Sequence, residues 1–237
     1  MKIIIKFEGS NEVFKKALNK EVNGFINQCL GKDNPYHGNF SRYCISSMQG
    51  GRMNKNGELL FKNNAYLQVS TDSDNTEFIN RLINGLCDTA NGMAIKSLKY
   101  KGFEVSVFQP YDKFDIIRTI SPLYLTNKDK SLTFKDEDFL KVLRKKSIQK
   151  LIYCGVDKTT AETINFKLFH PENAKTRMVK IGKQKNLASQ VMLYVEGNRN
   201  ARLKLYELGL GKCTGFGFGA VMIMSESKRN RVISTDT

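Results

Sequence analysis

Two groups of residues in this 237-residue chain have the types and spacing to act on a phosphate. The first is Gly209-Leu-Gly-Lys-Cys-Thr-Gly-Phe-Gly-Phe-Gly219, with five glycines in eleven residues and Lys212 among them. Glycine leaves backbone N–H groups uncovered, and successive N–H groups beside a lysine suit an anion. Gly211, Lys212, Gly215 and Gly217 are therefore candidate phosphate contacts. A plain turn seldom needs so many glycines. The second group is the two histidines. His37 lies in Asp33-Asn-Pro-Tyr-His-Gly38 and His170 in Phe169-His-Pro171. An imidazole titrates near pH ~6.5, so either ring can take or give a proton at neutral pH.

Known glycine motifs do not fit the loop. A dinucleotide fingerprint needs G-x-G-x-x-G between a strand and a helix, whereas Gly209, Gly211 and Gly215 are spaced G-x-G-x-x-x-G after a helical pattern. A P-loop needs Ser or Thr directly after its lysine, and Cys213 follows Lys212.

Charge points to a polyanion as partner. Lys and Arg number 38 against 23 Asp and Glu, a net charge of +15, and this excess self-repels unless a nucleic acid offsets it. The five cysteines (29, 44, 87, 154 and 213) are an odd set without a C-x-x-C pair and read as buried thiols in a reducing compartment. Met1-Lys-Ile-Ile-Ile-Lys6 is too short for a signal-peptide core, and no apolar run approaches the length of a membrane span, so a cytoplasmic protein is expected.

The elements that must position these groups follow from periodicity. Ile3, Ile5 and Phe7 alternate as a strand over 2–8, and Ser10 or Asn11 is placed to cap a helix carrying Val13, Phe14, Val22 and Phe25 to a stop at Gly31. Strands at 40–48 and 65–71, a helix from Phe78 to Gly92 and a bent strand or strand pair over 94–108 complete the first half. After Gln109-Pro110 the order recurs. A strand covers 114–121 and a helix 136–154, strands cover 163–169, 176–181 and 188–196, a helix covers 198–208, and the glycine loop feeds a last strand over 220–224. Each half is a split βαβ, or ferredoxin-like, unit. The expected fold class is α+β, two tandem ferredoxin-like (RRM-like βαββαβ) units over 1–110 and 111–237, with a C-terminal glycine-rich loop.

These pieces resemble, in order and over nearly the whole chain, the CRISPR repeat-processing endoribonucleases of the repeat-associated (RAMP) superfamily. The resemblance rests on Tyr36-His37, Tyr43-Cys-Ile-Ser-Ser-Met48, Gly50-Gly51 and Tyr66-Leu-Gln-Val-Ser70 in the first half. In the second it rests on Thr119-Ile-Ser-Pro-Leu123, Tyr153-Cys-Gly155 and Leu205 through Gly219. It implies cleavage of precursor RNA within CRISPR repeats by 2′-OH attack, leaving a 2′,3′-cyclic phosphate. It selects His37, after the first helix, as the proton carrier. Family members often add a tyrosine and a lysine near the histidine, and no lysine lies between His37 and Ser46 here. Tyr43 and Arg42 are the candidates in their place, Arg42 because a guanidinium bonds two phosphate oxygens at once. Tyr43 reads equally as a core residue of its strand. Lys141, Arg144 and Lys145 on the second-half helix are candidates for electrostatic grip on RNA, against the alternative of a solvated face. Phe216 and Phe218 are candidates for base stacking. No cofactor and no catalytic metal are expected, since no His, Asp and Glu cluster has ligand spacing. The partner implied is repeat RNA, with effector subunits or a second copy as further candidates. The competing reading is a non-catalytic RNA-binding subunit of a CRISPR effector complex.

Overall fold

The computed structural model describes residues 1–14, 18–31, 33, 35–36, 41–56, 58–89, 92–181 and 184–225. In the first half, strand β1 (Lys2–Phe14) is followed by α1 (Asn19–Leu30), β2 (Tyr43–Ile45), β3 (Arg52–Met53), β4 (Leu59–Thr71), α2 (Thr76–Asn84), β5 (Ala94–Ile95) and β6 (Leu98–Ser106). They form one antiparallel sheet of order β2-β4-β1-β6-β5, with β3 on the outer part of β4. Taking β1, β2, β4 and β6 as first to fourth, the second, third, first and fourth strands lie side by side, which is the ferredoxin-like order.

The second half repeats it. Strand β7 (Phe114–Thr119) is followed by the small hairpin β8 (Leu125–Asn127) and β9 (Lys130–Leu132), then α3 (Phe139–Tyr153), α4 (Lys158–Glu162) and β10 (Asn165–Phe169). A two-stranded ribbon, β11 (Lys175–Ile181) and β12 (Gln184–Gln190), precedes β13 (Met192–Glu196), α5 (Arg199–Leu208) and β14 (Val221–Ile223). The order β10-β13-β7-β14 is again second, third, first, fourth. The chain is thus an α+β double ferredoxin-like fold.

Each sheet buries one face under its helices. Ile3, Ile5 and Phe7 meet Val22 and Phe25 of α1 and Phe78 of α2 in one core, while Ile117, Leu193 and Val195 meet Phe139, Leu143 and Leu205 in the other. Each such side chain contributes roughly 1.5–3 kcal/mol on burial. No helix among the described residues is long and apolar enough to cross a membrane.

Three expectations are corrected. Residues 10–14 continue β1 instead of starting a helix, because they pair with β4 in a bulged register that sets Phe14 edge-on to Phe61 at 5.6 Å; α1 begins at Asn19 without a side-chain cap. The segments at 176–181 and 184–190 form a ribbon outside the second sheet, and of the strand expected over 188–196 only β13 (Met192–Glu196) enters that sheet. Cys87 and Cys213 are exposed, and only Cys29, Cys44 and Cys154 are buried.

Candidate functional site

The glycine loop leaves the end of α5 and folds back on itself before β14. Gly209 takes φ 72°, and a Cβ there would come within 2.5 Å of Cys44 Sγ on β2; Gly219 takes φ 69°, and a Cβ would meet the Leu210 carbonyl at 1.8 Å. Only glycine fits either position. The other candidate glycines are also close-packed. A Cβ on Gly211 would lie 2.5 Å from the Tyr124 carbonyl oxygen, one on Gly215 would lie 2.8 Å from Ser41 Oγ, and one on Gly217 would lie 2.8 Å from the Asn19 side chain.

Several loop amides are engaged within the protein. Leu210 N–H donates to Gly219 O at 2.9 Å, Lys212 N–H to Tyr124 O at 2.9 Å, Phe216 N–H to Cys213 O at 2.8 Å and Gly219 N–H to Pro122 O at 3.0 Å. The loop also ties the halves together. Thr214 Oγ1 donates to Tyr43 O at 3.1 Å, Asn19 Nδ2 to Phe216 O at 3.3 Å and Cys44 Sγ to Phe218 O at 3.4 Å. Most glycines here serve close packing between the halves, and the part open to a ligand is narrower than the sequence implied. Lys212, Cys213 and Phe216 are exposed. Lys212 Nζ lies 3.0 Å from Thr126 Oγ1 of β8. Phe216 is 48% exposed and open to stacking, whereas Phe218 is 1% exposed and belongs to the core.

His37, the expected proton carrier, lies outside the described residues. Its flanks are described. Tyr36 sits edge-on to Phe78 with ring centroids 5.1 Å apart, and Ser41 lies against Gly215 of the loop.

The two residues expected to assist it are otherwise engaged. Tyr43 is 6% exposed, its ring stacked on Phe78 at 4.6 Å, and burial raises its pKa; it is a core residue of β2. Arg42 Nη2 donates to Asp72 Oδ2 at 2.7 Å, so its guanidinium is anchored on a buried carboxylate while its side chain stays 42% exposed. Asp72 also accepts from Lys204 of α5 at 2.8 Å, and Lys204 reaches Asp74 at 2.9 Å. Burial opposes ionisation of Asp72, but the hydrogen bonds from Lys204 and Arg42 outweigh it and hold the carboxyl below its usual value. Stability from this cluster is therefore full above the ordinary carboxyl value of 3.8 and is lost as pH falls through the depressed one. Asp72→Asn is expected to cost about 2 kcal/mol at neutral pH and progressively less in acid. Chemical denaturation of both proteins across that range checks it, and a cost independent of pH would contradict it.

The basic residues of α3 are not gathered at the loop. Arg144 donates from Nε to Ile164 O at 2.8 Å and from Nη2 to Glu162 O at 2.7 Å, which makes it a tie for the end of α4. Lys141 and Lys145 are exposed, but Lys150 of the same helix, which does face the loop, is five residues past Lys145 and so about 140° round the axis. His170 takes φ 48°, with Nδ1 2.8 Å from Glu172 Oε1 and its ring edge-on to Phe169.

Sequence reading takes 176–181 as a strand but passes over the charge that the ribbon β11–β12 carries. Lys175, Arg177, Lys180 and Lys185 are all exposed on it, and no acidic residue lies between 175 and 190. The signal was legible as a charge run without a helical or core period. At its base a cleft of about 440 Å³ opens between the halves, lined by Gln49, Arg118, Asn173, Lys175 and Gln190 among others.

The model of the family described as CRISPR associated protein Cas6, C-terminal, matches residues 104–223, a little over half of the chain. No curated relative matches by sequence alone. Among solved structures, a CRISPR associated protein Cas6 superposes with a TM-score of 0.73 at 20% identity, covering 95% of this chain and 99% of its own. A RAMP protein that binds different RNA substrates superposes with a TM-score of 0.78 at 18% identity, covering 95% and 100%. A protein from a Cas6-related gene of Pyrococcus furiosus does so with a TM-score of 0.78 at 20% identity, covering 95% and 99%. The double ferredoxin-like order, the helix-to-strand glycine loop and the family match agree: the chain belongs to the Cas6 family of CRISPR RNA-processing endoribonucleases.

Proposed function

We propose that the protein cuts CRISPR precursor RNA within its repeats by metal-independent transesterification. The ribose 2′-oxygen attacks the adjacent phosphorus, the bond from phosphorus to the 5′-oxygen breaks, and the products are a 2′,3′-cyclic phosphate and a 5′-hydroxyl. A base takes the 2′-OH proton, an acid supplies one to the leaving oxygen, and His37 is the residue suited to one of these transfers. The observation that carries this reading is the docking of the glycine loop on the residues just after His37. Gly215 lies against Ser41 and Thr214 bonds to the Tyr43 carbonyl, four and six residues after His37 in sequence. Lys212 is exposed at one end of the loop, its Nζ beside Thr126 of β8. We assign RNA grip to Lys212 and to the ribbon lysines, with Phe216 as a stacking surface. Lys141 and Lys145 add only long-range attraction.

The test is repeat RNA with one 2′-deoxy nucleotide at the cut site, in chelator. The unmodified RNA is expected to be cut under the same conditions, and the deoxy RNA to bind equally and stay intact because the attacking hydroxyl is missing. Cleavage of the deoxy RNA, or a requirement for divalent metal, would overturn the mechanism. Binding with no cleavage of either RNA would instead favour the non-catalytic subunit.

A further inference from the structure

Beneath the glycine loop lies a buried cation. Lys150, near the end of α3, is 5% exposed, and its Nζ donates to Leu208 O at 3.1 Å, Gly209 O at 3.0 Å and Thr214 Oγ1 at 3.4 Å. No carboxylate among the described residues pairs with it. Desolvating an ammonium without a counter-charge is costly, and what offsets it here is the negative end of α5, whose last carbonyls it caps. Thr214 passes the contact on, accepting from Lys150 and donating to the Tyr43 carbonyl on β2. One ammonium thus fixes both ends of the loop's exposed stretch and links α3 and α5 in the second half to the strand that follows His37 in the first.

We propose that Lys150 is a positioning residue for RNA cleavage: its ammonium holds the glycine loop against β2 and so sets the loop's place relative to the segment that carries His37. This rests on the endonuclease reading above. The titratable groups that face Lys150 are Cys44 of β2, Cys154 after α3 and Cys213 of the loop, and beyond Cys154 stands the Arg42, Asp72 and Lys204 cluster. Burial raises the thiols of Cys44, to about 12, and Cys154, so these remain neutral near pH 8, while burial lowers Lys150 to about 8. The sign follows. Above pH 8 the folded protein loses this charge while the unfolded chain keeps its proton until the ordinary 10.5, so this group's contribution to stability rises from pH 8 to 10.5, for global unfolding and for any loop opening that returns Lys150 to water.

The experiment compares wild type, Lys150→Met and the exposed control Lys158→Met by hydrogen exchange and single-turnover cleavage of repeat RNA. In Lys150→Met, protection of amides in 209–219 is expected to drop roughly tenfold or more, the size of a lost hydrogen bond to a charged group, with a similar fall in cleavage rate at saturating RNA and little change in Tm. In wild type an opening that returns Lys150 to water takes up a proton above pH 8, so the same amides, corrected for intrinsic exchange, gain protection between pH 8 and 10.5. That series needs no variant and so holds even if Lys150→Met fails to fold. Protection unaffected by the substitution and by pH overturns the proposal whatever the protein does to RNA, and so does lost protection with wild-type cleavage. If wild type leaves the RNA uncut while loop protection still follows Lys150, the endonuclease reading falls and the catalytic role of Lys150 with it, but the clamp on the loop is supported.

Discussion

His37→Ala is expected to slow single-turnover cleavage of repeat RNA by about 10² to 10⁴-fold, the usual loss when a general acid or base is removed, while RNA affinity stays near wild type. The chain has one other histidine, and the structure gives it a different task. His170 lies in the left-handed region just after β10, with its ring against Phe169 and its Nδ1 on Glu172. His170→Ala should therefore cut at close to the wild-type rate. Removing one imidazole from a chain of net charge +15 changes little of the attraction for phosphates, so gel shifts should separate loss of chemistry from loss of binding. With its phenol in the core against Phe78, Tyr43 does not stand ready to replace the lost proton carrier. Wild-type cleavage by His37→Ala would sink the assignment.

How much of this was legible in the sequence depends on range. Elements with an unbroken period were read to within a few residues: α3 was expected from 136 and starts at Phe139, and α5 was expected from 198, where Asn198 caps it by accepting from Asn200 and Ala201. The start of the first helix was misread because Val13 and Phe14 fit a helical spacing as well as a strand. Pairing with Leu59 and Leu60, over forty residues away, decided for the strand. The glycine loop was found by composition, but its main work was not. That five glycines fold a turn over Cys44 and beneath Leu210 is a matter of through-space contacts that no local pattern records. The same holds for Arg42, which by type suited a phosphate and by position meets Asp72, and for Lys150, which looked like one more basic residue on a helix and is instead buried under the loop. A buried charge has the same letter as an exposed one.

Such a charge also underlies the largest expected effect on stability. Arg202 of α5 is fully buried and all its described partners are acceptors at one corner of the second half. It pairs with Asp115 of β7 and donates to Gly197 O at 3.0 Å, Tyr111 O at 2.6 Å and Asp112 O at 2.9 Å. Asp115 is fully buried too and further accepts from Tyr206 OH and from Tyr111 N–H. Arg202→Met keeps the bulk and removes the charge, leaving the Asp115 carboxylate in the core with two neutral donors and three carbonyls without their guanidinium. The expected cost is about 3–5 kcal/mol, the range for breaking a buried pair from one side. Removing both charges with Asp115→Leu and Arg202→Met should recover part of that loss, because the desolvation penalty goes with them. Denaturant unfolding of the two variants and wild type reads this as a shift in midpoint. A shift under about 1 kcal/mol in the single variant would mean that the site admits water or a counter-ion. The consequence for function differs in kind from that of His37→Ala. Because α5 ends in the glycine loop, loosening its N-terminal anchor should lower RNA affinity and cleavage together, in step with the folded fraction, and a stabilising osmolyte should restore both.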